Sequence, residues 1–165
     1  MSDDQRLDNL QAFLMAIRRF ESRTDDLAYR TLYGGDIWNG SLESHPKEQG
    51  WRGVELPPSM CLKAGLTPPC FSTAAGAYQI IYPTWMRAQA AMKLPDFSPT
   101  SQDAAAIWLI GQRSALQEVE AGNFDRAIDL CRAEWASMPG NYAGQSQHSV
   151  DRWRVAYVDA GGEIA

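Results

Sequence analysis

Between residues 29 and 81 the chain is rich in Gly, Pro and Trp and shows no sustained helical period, whereas apolar residues on both sides recur at helical spacing. That division constrains the fold more than any composition figure. Helices with one apolar face must bury it against a partner, and the middle segment supplies no long helix of its own. Before it, Leu7, Leu10, Phe13, Leu14 and Ile17 predict a helix over residues 7–20 with one face inward, and Phe20 continues that face. After it, Pro83 suits a first helical position and the helix continues through Met92. Ser98-Pro99 opens another that runs toward Gln112, and residues 114–121 form one more, stopped by Gly122. Asn123 is a cap for a helix whose inner face carries Phe124, Ala127, Ile128, Cys131 and Trp135, ending at Met138-Pro139-Gly140. The last spans residues 150–160, with Val150, Trp153 and Tyr157 inward and Gly161-Gly162 as the stop. Within the middle, residues 29–33 read as a strand and Gly34-Gly35-Asp36 as a turn. The expected class is α+β: mainly helical, with a small irregular β region whose polar, glycine-rich layer forms a cleft. No repeat or linker cuts the chain, so residues 1–165 are expected to be one domain.

Composition narrows the partners. The net charge is -5, and the densest basic spot, Arg18-Arg19 with Arg23, is too short for a nucleic-acid surface. No run approaches the roughly 20 apolar residues of a membrane span. Met1 to Arg6 is acidic and polar, unlike an export signal, so the chain is expected to be made in a cytoplasm and, if its target lies outside, to need something else to release it. Six Trp and six Tyr serve a core or a groove that stacks rings. His45 and His148 lie far apart with no metal-ligand spacing around them, so neither a metal nor a cofactor is expected. Cys131 is expected in the core. Cys61 and Cys70 bracket a Pro-rich segment and could close a loop in an oxidising compartment, but free thiols suit a chain made in a cytoplasm better. That segment is expected to be a mobile lip, because it is long, rich in Gly and Pro, and without helical period.

One acid stands out. Glu21 follows the apolar face of the first helix, and a carboxyl carried into a partly apolar setting keeps its proton to higher pH. Such a group can protonate a leaving oxygen. The alternative is a Glu paired with Arg18, Arg19 or Arg23, which would lower its pKa and unfit it for that task. Some fifty residues on lies Ser72-Thr73-Ala74-Ala75-Gly76-Ala77-Tyr78-Gln79. Small residues let a backbone approach a ligand, Tyr78 can pack on a sugar face, and Gln79 can donate and accept hydrogen bonds. The same stretch also reads as a tight turn into the helix at Pro83, with Tyr78 in the core.

Many short matches in one order decide between these readings. Phe13-Leu14, Glu21, Gly34-Gly35, His45-Pro46 and Ser72-Thr73 with Ala75-Gly76 and Tyr78-Gln79 come first. Asp96-Phe97-Ser98-Pro99 with Ser101-Gln102-Asp103-Ala104 is the most specific block. Gly122, Ala127-Ile128-Asp129, Trp135-Ala136-Ser137, Pro139-Gly140, Gly144-Gln145, His148 and Ala160-Gly161-Gly162 follow. Over most of its length the chain resembles the lambda-type phage endolysins, lysozyme-like peptidoglycan lytic transglycosylases. The resemblance implies a lysozyme-like fold with Glu21 as the catalytic carboxyl. It also implies a monomer acting on periplasmic glycan strands after release from the host cytoplasm. Ser72, Thr73, Gly76, Tyr78, Gln79, Tyr142 and Gln145 are the residues expected at the substrate. A hydrolytic muramidase, which needs a second carboxylate at a set separation, and a non-catalytic glycan-binding part of a virion are the alternatives.

Overall fold

The computed structural model describes residues 1–141 and 148–165. Helix α1 (Asp3–Glu21) starts four residues earlier than its apolar spacing suggests, because Ser2 caps it by accepting from the Gln5 N–H, and Asp3 and Asp4 sit favourably in its first turn. Leu7 lies off the inward face and is exposed, whereas Asn9, Ala12, Phe13, Ala16 and Ile17 are buried. Glu21 is the last helical residue rather than the first one beyond.

The expected strand over residues 29–33 does not form as such. A 3-10 turn (Asp26–Arg30) takes its first half, and the remainder makes only isolated bridges, Thr31 with Ile37 and Leu32 with Ala75. The turn at Gly34 and Gly35 does form, with φ of 89° and 104°, a left-handed backbone that glycine adopts without strain. The two-stranded antiparallel sheet lies further on: β1 (Val54–Glu55) pairs with β2 (Phe71–Ser72), Val54 opposite Ser72. Between them stands a short helix, α2 (Pro58–Lys63), started by Pro at its first turn. The Pro-rich segment thus carries its own elements, too short to leave a period in the sequence. It is also closed: Cys61 and Cys70 form a disulfide with Cα atoms 5.8 Å apart, against the expectation of two free thiols, and both residues are buried. Cys131 is the free, buried cysteine expected in the core.

The helical body follows its signals closely. It comprises α3 (Tyr82–Met92), α4 (Pro99–Gln112), α5 (Leu116–Glu120), α6 (Phe124–Cys131) and α7 (Val150–Asp159). Ser98 caps α4 through the Ser101 N–H, and Ser149 caps α7 through the Arg152 N–H. Asn123 does not cap α6: its amide donates to Glu118 instead. α6 ends at Cys131, and Trp135 reaches the core from the turns after it. α1 packs against α5 and α7, and α3 against α4, around a core that includes Phe13, Ile17, Trp85, Ile110, Phe124 and Tyr157. Among the described residues no helix is long and apolar enough to cross a membrane.

Candidate active site

Three segments distant in sequence converge where α1 ends. Ser22 donates from its hydroxyl to the Ala77 carbonyl at 2.7 Å, which holds the end of α1 against the glycine-rich stretch. Trp135 donates from its indole to the Tyr78 carbonyl at 3.1 Å, which holds the turns after α6 against the same stretch. Gln102 of α4 anchors that stretch from behind. Its amide oxygen accepts from the Ala77 N–H at 2.9 Å, and its amide nitrogen donates to the Tyr29 and Phe97 carbonyls at 3.0 and 2.8 Å. A cleft of about 560 Å³ opens at this junction. Phe20 and Glu21, Ser72, Gln79, Thr84 and Arg87, Arg113, Glu134 to Ser137, and His148 line it.

Glu21 meets none of the arginines beside it. Arg23 pairs with Asp25 and Arg19 with Asp159, while Arg18 turns inward to the Tyr29 hydroxyl and the Asp25 carbonyl. The partner of Glu21 is Ser137, whose hydroxyl makes a short hydrogen bond to Oε1 and whose N–H donates to the same oxygen at 3.3 Å. Glu21 is half-buried and lines the cleft. Burial pushes its carboxyl above the ordinary value, and the two bonds from Ser137 offset part of that rise. Burial therefore wins, and the group retains a proton at higher pH than a free Glu. Glu134 is the other acid on the cleft among the described residues, and Arg113 grips it at 2.7 Å.

The residues expected at the substrate divide. Ser72 and Gln79 line the cleft. Gln79 has φ of 49°, and its amide nitrogen donates to the Thr31 and Gly76 carbonyls, both at 3.0 Å. Its amide oxygen is then the group it can offer a ligand. Thr73 caps the approach to α3 by accepting from the Tyr82 N–H, and it does not line the cleft. Gly76 serves packing rather than ligand approach: a Cβ there would lie 2.2 Å from Gln102 Oε1. Tyr78 touches the cleft, but its ring is 2% exposed and its hydroxyl donates to Asp103 at 2.6 Å. Of the two roles open to Tyr78, stacking on sugar has no exposed ring to use, and the core role fits. Tyr142 and Gln145 lie outside the described residues. The sequence reading missed Ser137, which no local pattern marks because its partner is 116 positions away. It also missed the buried cluster behind the cleft, in which Asp103 accepts from both Tyr29 and Tyr78.

The Endolysin family model matches residues 11–164 of the chain. This chain belongs to the endolysin family. The endolysin of Escherichia phage lambda is 32% identical over 142 residues, 86% of this chain and 80% of that protein. The endolysin of Escherichia phage P2 is 47% identical over 91 residues, and the match spans only 55% of each. Among solved structures, bacteriophage lambda lysozyme complexed with a chitohexasaccharide aligns at a TM-score of 0.76 and 30% identity. That alignment covers 100% of this endolysin and 99% of the lambda chain. A second structure of lysozyme from bacteriophage lambda aligns at 0.74. The lysozyme-like, mainly helical fold expected from the sequence is the one observed.

Proposed function

We propose that this endolysin is a peptidoglycan lytic transglycosylase that cleaves the β-1,4 bond from N-acetylmuramic acid to N-acetylglucosamine for host lysis. The carrying observation is Glu21, a carboxyl whose pKa is raised by burial and which lines a cleft of about 560 Å³. Protonated Glu21 delivers its proton to the glycosidic oxygen as the C1–O bond breaks. The resulting carboxylate takes the proton of the muramic acid 6-hydroxyl, whose oxygen closes on C1 to give the 1,6-anhydro sugar. The acid is regenerated, and no water is consumed. One carboxyl is enough for this sequence of steps, whereas a hydrolase uses two. The ion pair of Glu134 with Arg113 supports the one-carboxyl reading, since it occupies the other acid of the cleft. A glycan strand is the substrate class that also suits the lambda relative, which was solved with a chitohexasaccharide. Ser72 and Gln79, which line the cleft, are proposed to hold it together with Tyr142 and Gln145. The setting is the periplasmic wall, reached after release from the host cytoplasm.

Glu21→Gln is expected to abolish lysis of permeabilised Gram-negative cells while the folded signal in circular dichroism persists, because an amide can neither give nor take the proton. Near wild-type lysis by the folded variant would remove the proposal. Mass spectrometry of the products separates the two chemistries: anhydro ends are lighter by one water, about 18 Da, than those a hydrolase leaves.

A further inference from the structure

The two oxygens of Glu21 stand in different surroundings. Oε1 accepts from both the hydroxyl and the N–H of Ser137, and among the described residues nothing bonds Oε2. Ser137 is itself 7% exposed. It is held in place by Trp135 two residues earlier, whose indole is tied to the Tyr78 carbonyl. We propose that Ser137 is a positioning residue that divides the work of Glu21, keeping Oε1 as a permanent acceptor so that Oε2 alone gives and takes the proton.

The reasoning is one of lone pairs. An oxygen already facing two donors is the poorer place for a proton, so the acid form carries it on Oε2. When Oε2–H breaks and the glycosidic oxygen leaves with the bonding pair and that proton, negative charge appears on the carboxylate. Both Ser137 donors then become charge-assisted bonds, which are stronger than neutral ones. They stabilise the carboxylate while it waits for the 6-hydroxyl proton, and they keep Oε2 turned to the same place for both transfers. The inference rests on the reading of Glu21 as acid and then base. The other titratable groups around the cleft are Tyr33, Tyr78, Arg87, the Arg113–Glu134 pair and His148. None of these is hydrogen-bonded to Glu21 among the described contacts.

The test uses Ser137→Ala and Ser137→Thr in the full chain, with soluble glycan fragments as substrate. Ser137→Ala is expected to lower kcat about tenfold with KM nearly unchanged, since alignment rather than binding is lost. Its alkaline limb of activity should move to higher pH, because a donor that favours the carboxylate has gone. Ser137→Thr, which keeps a hydroxyl, should restore both. In the wild-type chain the Ser137 amide proton should shift in NMR spectra along one titration curve with the Glu21 carboxyl carbon. That measurement needs no variant and no activity, so it decides the matter if Ser137→Ala fails to fold. An unchanged kcat and pH profile in folded Ser137→Ala, or a wild-type Ser137 amide indifferent to Glu21 ionisation, would overturn the proposal. A hydrolytic product mass would instead remove the transglycosylase reading and leave the Ser137–Glu21 titration standing.

Discussion

In α6 the buried residues Phe124, Ala127, Ile128 and Cys131 meet other apolar side chains, and the helix satisfies its own backbone. Around residues 74–80 the small buried residues Ala74, Ala75 and Ala77 stand beside the large Tyr78 and Ile80, and no helix ladder surrounds them. Polar side chains do that work. Gln102 bonds three backbone groups, His45 bonds the Ile80 carbonyl, and Gln79 bonds Thr31 and Gly76. The helical body is held mostly by burial of apolar area, which tolerates small changes of shape. The irregular layer is held mostly by buried hydrogen bonds, where deleting one partner strands the other. The Glu21 cleft is lined from both, so its geometry depends in part on the less tolerant region.

This contrast yields tests of graded size. Gln102→Ala is expected to cost about 4 kcal/mol, since three buried backbone groups lose their partner, while Ile128→Val in α6 should cost about 1 kcal/mol. Urea unfolding of both variants checks the order, and a larger loss at Ile128 would break the comparison.

Acid should act next on the same layer. His45 is fully buried, and burial lowers its pKa from 6.5 to about 4, partly opposed by its bond to Ile80 and by Glu48. Its Nδ1 accepts from the Lys47 N–H at 3.1 Å, so the neutral ring donates from Nε2 to Ile80. The unfolded chain binds the proton more readily, so this stability is complete above pH 6.5 and is lost as pH falls toward 4. The full loss is about 3 kcal/mol. Stability curves across that range for wild type and His45→Gln measure it, and equal slopes would mean that His45 is not the titrating group.

The smallest of these effects on the irregular layer belongs to its crosslink. Cys61 and Cys70 are nine positions apart, and a loop that short gains about 2 kcal/mol from closure. Reductant should lower the free energy of unfolding by that amount and leave the helical body intact. Denaturing, non-reducing thiol counting should find the single free thiol of Cys131. Three thiols would return Cys61 and Cys70 to the free state that cytoplasmic synthesis suggests.

Much of the helical body was legible because its signals are local. Ser98-Pro99 announces α4 within two residues, Gly122 stops α5 at φ of 76°, and Phe13 and Ile17 share a face through the helix's own period. The end of α1 at Glu21 was legible for the same reason. The glycine-rich stretch was only half legible: its turn was clear, but Gly76 faces Gln102 and Tyr78 faces Asp103 rather than a sugar. Nothing in the composition of that stretch distinguishes a backbone that approaches a ligand from one that approaches another side chain.

The sequence by itself therefore determined that helices flank an irregular middle, where α4 and α7 open, and that one carboxyl stands at the close of the first. The tertiary structure decided what surrounds that carboxyl. It set Ser137 rather than the neighbouring arginines on Glu21, gave Arg113 to Glu134, and joined Cys61 to Cys70. The physical reason is range. Caps and helical periods act over three or four residues and are written in the order of the chain, whereas the bond from Ser137 to Glu21 spans 116 residues and exists only once the body has packed.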